Sequence, residues 1–127
     1  MTRMTEALYK ITPTTKPRMT QRDKWLRPPR PCVQRYWAFC DEVRGCGVCL
    51  PESGASITFL VPMPKSWSKK KRAEYEGKKH QQTPDLSNLL KALEDAVHTN
   101  DAHIWQYSGL RKIWAKEGGI KIINENT

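Results

Sequence analysis

Apolar and β-forming residues mark four extended segments along the chain. Residues 7–12 end at a proline, and residues 55–61 alternate between apolar and polar positions. Such alternation turns one face of a strand toward the core and the other toward solvent. Residues 102–115 and 119–124 are also predicted strands, and the glycines at 118 and 119 suit a turn between them. We therefore expect the last two strands to form an antiparallel hairpin.

Apolar residues recur at three- and four-residue spacing in two other segments, as they do on one face of an amphipathic helix. Residues 33–44 form the first predicted helix, and residues 84–98 form the clearest one. The apolar stripe of this clearest helix consists of Leu86, Leu89, Leu90, Leu93 and Val97. A shorter basic helix is predicted over residues 66–76, with Ser66 as its N-cap.

The order of these elements predicts an α+β (mixed α/β) fold in which helices pack on a small sheet. With 127 residues the chain is expected to form a single domain, residues 1–127. Residues 13–31 contain five prolines and many charges, which is typical of an extended basic arm or loop. No apolar run is long enough to span a membrane, and the first residues do not resemble a secretion signal, so we expect a cytoplasmic protein.

Positive charge is concentrated in two places. The net charge of the chain is +9; residues 1–35 carry nine Lys and Arg against two acids, and residues 65–80 carry seven against two. The remainder of the chain is slightly acidic. Basic flanks around an acidic centre suit a protein that binds phosphates, although clustered lysines can also be an ordinary solvated surface.

The acidic centre combines groups that phosphodiester chemistry needs. Asp85 and Asp101 are candidate Mg²⁺ ligands, and Lys91 is a candidate group for stabilising negative charge on a phosphate. Asn88 is predicted to orient a neighbour, and Asp95 either joins the site or pairs with Lys91 at i, i+4. From spacing alone, a capped surface helix with one ion pair explains these residues equally well.

The motifs in this region resemble those of the RusA family of Holliday junction resolvases. The resemblance rests on Pro84-Asp85-Leu86-Ser87-Asn88-Leu89-Leu90-Lys91, followed by Asp95-Ala96 and Asn100-Asp101-Ala102. Residues 62–72 are similar to those of phage and prophage members, and residues 107–122 are similar to the closing hairpin. The resemblance implies a homodimeric, Mg²⁺-dependent endonuclease that cuts four-way DNA junctions in a bacterial cytoplasm, with Mn²⁺ as a possible substitute metal.

The resemblance also implies which residues form the active site. Asp85 matches the first catalytic acid of the family, Lys91 the catalytic lysine and Asp101 the acid at the entry to a strand. The second acid of the family falls at Ser87, whose neutral hydroxyl is a weaker metal ligand. Three explanations remain open: the protein is catalytically impaired and binds junctions without cutting them, Glu94, Asp95 or a bridging water compensates, or fewer carboxylates hold the metal with lower affinity.

Dimerisation is expected because a four-way junction has approximate two-fold symmetry and its resolution needs two matched nicks. The basic segments are predicted to contact phosphates, which gives affinity without reading bases. The predicted DNA contacts are Arg18, Arg22, Lys24, Arg27, Lys69, Lys70, Lys71 and Arg72. A small RNA-binding protein would fit the charge but not the acidic helix motif.

The tryptophans, cysteines and histidines complete the sequence predictions. Trp25 and Trp67 lie in basic segments, where each either stacks on an unpaired base or, as we prefer, packs into the core. The four cysteines are expected to be reduced thiols, with Cys40 in the core, because one CxxC pair lacks the second pair of a common zinc site. His80 and His98 are predicted to lie at the surface.

Overall fold

A computed structural model describes residues 3–18, 20–51, 55–97 and 104–126. Four strands form one sheet: β1 (Arg3–Tyr9), β2 (Ala55–Pro62), β3 (Tyr107–Ala115) and β4 (Gly119–Asn126). The α-helices are α1 (Pro31–Gly45), α2 (Lys69–Tyr75) and α3 (Leu86–Val97), and a 3₁₀ helix spans Gln21–Lys24. The predicted α+β fold class is confirmed.

The sheet has the strand order β1-β4-β2-β3, which corrects the predicted hairpin. β4 runs antiparallel to both β1 and β2, whereas β3 pairs in parallel with β2. β2 therefore lies between the two strands that are consecutive in sequence. Its core-facing residues Ala55, Ile57 and Phe59 are fully buried, which favours a position with a strand on each side. The three residues that join β3 to β4 are long enough to pass the end of one strand.

Helices α1 and α3 cover one face of the sheet because each presents an apolar stripe to it. α1 buries Val33, Tyr36, Phe39, Cys40 and Val43. α3 buries Leu89, Ala92, Leu93 and Ala96. Apart from Val33, these side chains pack with Ile57, Phe59, Ile120 and Ile122 of the sheet to form the core. The burial of Cys40, which is 6% exposed, confirms the sequence prediction for this thiol.

The opposite face of the sheet is more open. Leu8 is 57% exposed there, and together with Thr58, Leu60, Arg111, Ile113 and Lys121 it lines a shallow depression of about 440 Å³. Among the described residues, no helix is long and apolar enough to cross a membrane. The predicted site residues of α3 lie on the other side of the sheet, which the helices cover.

Element ends differ from the predictions where local capping decides them. α2 begins at Lys69 instead of Ser66, because the Ser68 side chain is the one that accepts the backbone N–H of Lys71, at 3.2 Å. α3 begins at Leu86, two residues later than predicted. β1 ends at Tyr9, earlier than the predicted residue 12, since Ile11 leaves the strand and enters the core.

Aromatic residues attach α2 to β3. The ring of Trp114 lies 4.8 Å from that of Trp67 and 4.3 Å from that of His80, and Tyr75 packs on Trp67 at 5.3 Å. Trp67 therefore packs against the body of the protein, as preferred from the sequence. The prediction for His80 was wrong. The segment at residues 78–80 pairs with β3 and carries the His80 side chain inward, so that His80 is only 3% exposed. Burial, and then the nearby charge of Lys112, lowers the pKa of His80.

Trp25 contradicts the prediction of core packing. It follows the 3₁₀ helix of the arm and leaves 82% of its side chain exposed. The four cysteines are free: Cys40 is buried, Cys32 is half-buried, and Cys46 and Cys49 are exposed after the end of α1. His98, for which a surface position was predicted, lies outside the described residues.

Candidate active site

A cleft of about 580 Å³ opens beside the beginning of α3. Thr12 and residues 13–15 of the arm form one wall of the cleft, and residues 83–85 form another. The side chains of Arg35 and Asn88 complete the lining. Four threonine hydroxyls, one carboxamide, one carboxylate and one guanidinium thus share the same concave surface. A cleft of this composition can accept a phosphate while keeping a carboxylate next to it.

Asp85 occupies the position before the first helical residue. Its carbonyl oxygen accepts the backbone N–H of Leu89 at 3.1 Å, which makes Asp85 the residue from which α3 starts. The side chain is exposed. The unpaired N–H groups of the first turn give this end of the helix a positive potential, which favours a carboxylate or a phosphate. Asn88 follows three residues later and lies on the same side of the helix.

Ser87 lies in the first turn of α3 and is exposed. The two acids that could compensate for it lie further along the helix. A rise of 1.5 Å per residue puts Glu94 and Asp95 about 12 to 14 Å beyond the start of α3. Glu94 accepts the hydroxyl of Tyr107 at 2.7 Å. This geometry disfavours compensation by either acid. Compensation by a bridging water and the other two explanations stay open.

Asp95 joins the arm to the helix. Its carboxylate contacts Lys16 at 2.9 Å and Lys91 at 3.2 Å. Partial burial would raise the pKa of Asp95, but the hydrogen bonds from both lysines outweigh it and hold that pKa below its usual value. The predicted i, i+4 pair of Lys91 and Asp95 is present, and the contact with Lys16 was not foreseen. Lys91 remains 56% exposed and accessible to a ligand.

Lys112 of β3 contacts the segment that precedes Asp85, and it was not assigned a role from the sequence. Its ammonium group donates to the carbonyl of Gln82 at 2.5 Å and to that of Pro84 at 2.6 Å. These two bonds fix the chain immediately before Asp85. Lys112 pairs with Phe59 across the sheet and so faces the helical side. A lysine at a core-facing strand position, between Leu110 and Trp114, is the signal that could have identified it.

Arg35 was counted in the basic N-terminal region but was not assigned a role. It is exposed on α1 and lines the cleft together with Asp85. Its guanidinium group brings positive charge to the wall opposite α3. Arginine is well suited to phosphate because its planar donors match two oxygens at once.

The predicted DNA-binding cations lie on two surfaces. Arg18, Arg22, Lys24 and Arg27 are exposed on the arm, and Lys69, Lys70 and Lys71 are exposed on α2. Arg72 is half-buried and lines a second depression with Lys69. Lys71 stacks over the ring of Trp67 at 4.2 Å, so part of its side chain is already ordered.

The donor chemistry of the cleft fits a hard divalent cation. Asp85 and Asn88 supply oxygen ligands of the kind that Mg²⁺ prefers, and Mg²⁺ commonly keeps several waters instead of a full protein cage. Within the described ranges, no three His, Cys, Asp or Glu side chains gather closely enough to hold a metal. The candidate ligand Asp101 lies outside the described residues, as does Asn100.

The fold and the cleft together define a small α+β protein with a carboxylate and a guanidinium in one cleft. The chain matches the family of endodeoxyribonuclease RusA over residues 9–123 and belongs to that family. This confirms the resemblance drawn from the motifs and implies the function of an endonuclease acting on Holliday junctions. A search of curated proteins found no match.

Proposed function

We propose that this protein is a structure-specific endodeoxyribonuclease that resolves four-way DNA junctions by paired, Mg²⁺-dependent cleavage of phosphodiester bonds. The observation that carries the proposal is the cleft at the start of α3, where Asp85, Asn88 and Arg35 meet beside the basic arm. Family membership supports the same reaction class. We further propose that residues 1–127 form one nuclease domain of phage or prophage origin that acts in a bacterial cytoplasm.

Each predicted site residue has a proposed role that follows from its chemistry. Asp85 and Asp101, with Ser87 as a weak third ligand, would hold Mg²⁺ or Mn²⁺. When bound, the metal supplies an activated water and neutralises phosphate charge. Lys91 stabilises the negative charge that develops on the phosphate, and Asp95 orients Lys91 through their ion pair.

The remaining groups position the substrate and the acid. Arg35 binds a phosphate oxygen on the far wall of the cleft, and Asn88 orients a neighbouring group. Lys112 is a positioning residue, because it contacts the backbone that carries Asp85 and does not itself reach the substrate. The exposed cations of the arm and of α2 bind the DNA backbone outside the cleft.

The proposed assembly is a homodimer with two-fold symmetry. Two cuts at symmetric positions need two sites in a fixed relation, and a C2 dimer supplies them. Light scattering at micromolar concentration should give twice the chain mass of 14.7 kDa. A mass of one chain under these conditions would contradict the dimer.

A junction-binding protein with impaired cleavage is the second candidate. It is favoured by Ser87, where the family pattern has an acid, and by the engagement of Glu94 and Asp95 in other contacts. Removing one carboxylate lowers the negative charge available to a divalent cation, so its affinity falls. In this case the basic surfaces would still bind branched DNA.

A nicking assay separates the two candidates. Labelled synthetic four-way junction is incubated with Mg²⁺ or Mn²⁺ and either the protein or its Ser87→Asp variant. Symmetric nicks by the unaltered protein would support the nuclease. Tight binding without nicks, together with nicking by Ser87→Asp, would support the impaired candidate. Absence of both binding and cleavage with either protein would refute both candidates.

A further inference from the structure

Trp25 is the most exposed of the large apolar side chains that the structure describes. It leaves 82% of its surface in water, compared with 47% for Trp37 on α1. Keeping an indole in water forgoes the free energy that its burial would provide. A binding partner that covers the ring would recover this free energy.

The arm around Trp25 is held in place by polar contacts. Asp23 accepts the backbone N–H of Thr20 at 2.7 Å and two bonds from Arg30, at 2.7 and 2.9 Å. Arg30 also donates to the carbonyl of Arg18 at 3.0 Å. The 3₁₀ helix contains no buried residue, so the Asp23–Arg30 pair and not the burial of Trp25 fixes its conformation. Trp25 is thus presented on an ordered segment and is free to bind.

The charges around Trp25 determine what could cover it. Arg22, Lys24 and Arg27 are all exposed, and each lies within three residues of Trp25 in the sequence. The nearby acid, Asp23, is engaged with Arg30 and does not offset them. A flat apolar ring among cations suits a ligand that has flat faces and negative charge, which describes a nucleic-acid base with its adjoining phosphates.

The arm is continuous with the cleft. Residues 12–15 line the cleft beside Asp85, and Lys16 contacts Asp95 on α3. A DNA strand whose phosphate lies in the cleft would therefore meet the arm next. Paired bases are stacked inside a duplex, so their faces are covered, whereas bases at a crossover or gap can be unstacked.

We propose that Trp25 is a stacking platform for an unpaired DNA base, with Arg22, Lys24 and Arg27 binding the phosphates on either side. This inference rests on the proposed function and adds to it the feature of branched DNA that the arm recognises. Phosphate contacts would be shared by all DNA, whereas the stacking contact would favour DNA with exposed base faces.

The test measures binding without metal, in EDTA, to three DNAs of equal length: a four-way junction, a duplex with a short single-stranded gap, and a fully paired duplex. Trp25→Ala should weaken binding to the junction and to the gapped duplex about tenfold, and change binding to the paired duplex by less than about twofold. Trp25→Phe should retain most of the affinity because it keeps a flat ring. Trp37→Ala is the matched control and should bind all three DNAs as the unaltered protein does.

The outcomes distinguish this inference from the proposed function. An equal loss on all three DNAs, or no loss on any, would overturn stacking by Trp25. If the unaltered protein binds the junction no better than paired duplex, the proposed function fails, yet a selective loss on gapped DNA would still support stacking. A fall in oligomer mass in Trp25→Ala would assign the ring to a second copy of the chain and overturn the inference.

Discussion

The segment before α3 (residues 82–85) and the basic arm both contribute to the lining of the same cleft, but they are held in different ways. The segment is fixed by Lys112 of the sheet and by a helix whose apolar stripe is buried in the core. The arm is fixed by ion pairs, chiefly Asp23 with Arg30 and Lys16 with Asp95. Buried packing restrains position closely, whereas exposed ion pairs are weaker and depend on salt. From this comparison we propose that the segment serves chemistry and the arm serves binding.

The strongest test of these two roles is to remove the hydrogen bonds that Lys112 donates to the segment before α3. Lys112→Met keeps an unbranched side chain but loses both bonds to the carbonyls before Asp85. We expect nicking to fall about a hundredfold, since small misplacements of a reacting group cost rate on this scale. Nicking and binding are measured on the same junction. Lys112→Met is introduced into the unaltered protein if that protein cuts the junction, and into Ser87→Asp otherwise.

The junction Kd of Lys112→Met should stay within about twofold, because the cations of the arm and of α2 are unchanged. Lys112→Arg should recover part of the rate, since it can still donate to a carbonyl. Equal losses of binding and nicking would indicate general misfolding and contradict a positioning role.

Neutralising α2 tests whether binding is spread over two basic surfaces. Changing Lys69, Lys70, Lys71 and Arg72 to Gln should weaken junction binding about tenfold at physiological salt. The slope of log K against log salt should become shallower by about 2 to 4, because each lost phosphate contact removes nearly one unit. The matched comparison changes Arg18, Arg22, Lys24 and Arg27 in the same way. An unchanged slope in the α2 variant would contradict a role for these residues in DNA binding.

A smaller effect is expected from loosening the arm while its cations remain. Asp23→Asn should weaken junction binding about threefold, because the arm would lose order that binding must then restore. Hydrogen bonds from Arg30 and Thr20 hold the pKa of Asp23 far below its usual value. A carboxyl with a lowered pKa contributes its full stabilisation above the ordinary value near 4 and loses it progressively as the pH falls below that value, so the effect should be equal at pH 5.5 and pH 8. An effect that disappears at pH 5.5 would contradict the ion pair.

The smallest predicted effect concerns His80, which is buried against the ring of Trp114. Burial lowers its pKa, so the folded protein favours the neutral ring while the unfolded chain takes up a proton below about pH 6.5. Stability should therefore decline as the pH falls from 7.5 to 5.5. His80→Phe keeps a ring against Trp114 and should reduce that decline in melting temperature by about 3 °C. His98 and His103 are present in both proteins, so their contributions to the decline in melting temperature cancel in the comparison. Equal declines would contradict a buried neutral His80.

Local patterns predicted the helices well and the sheet poorly, for a physical reason. The stripe from Leu86 to Val97 is visible in sequence because a helix repeats within a few residues. The neighbour of β3 is β2, some fifty residues earlier, and pairing at that distance leaves no local signal. The turn after β3 has the residues of a hairpin, but the burial of Ile57 and Phe59 places β2 in between.

The candidate site was predicted in part. Asp85, Asn88 and the pair of Lys91 with Asp95 follow from helical spacing and family motifs, and the structure describes them at the start and along the exposed side of α3. The carbonyl contacts of Lys112 and the approach of Arg35 come from distant segments that fold together. The roles of these residues stay predictions, as does that of Asp101, which lies outside the described residues.

The most direct test of the account is the loss of one carboxylate from the cleft. Asp85→Asn is made in whichever protein nicks the four-way junction, the unaltered chain or Ser87→Asp, and is assayed for nicking with Mg²⁺ and for binding in EDTA. The account predicts that nicking is abolished while the junction Kd changes by less than about threefold, because phosphate contacts supply the affinity. Nicking that persists in Asp85→Asn would place the reaction elsewhere and contradict the assignment of this cleft as the active site.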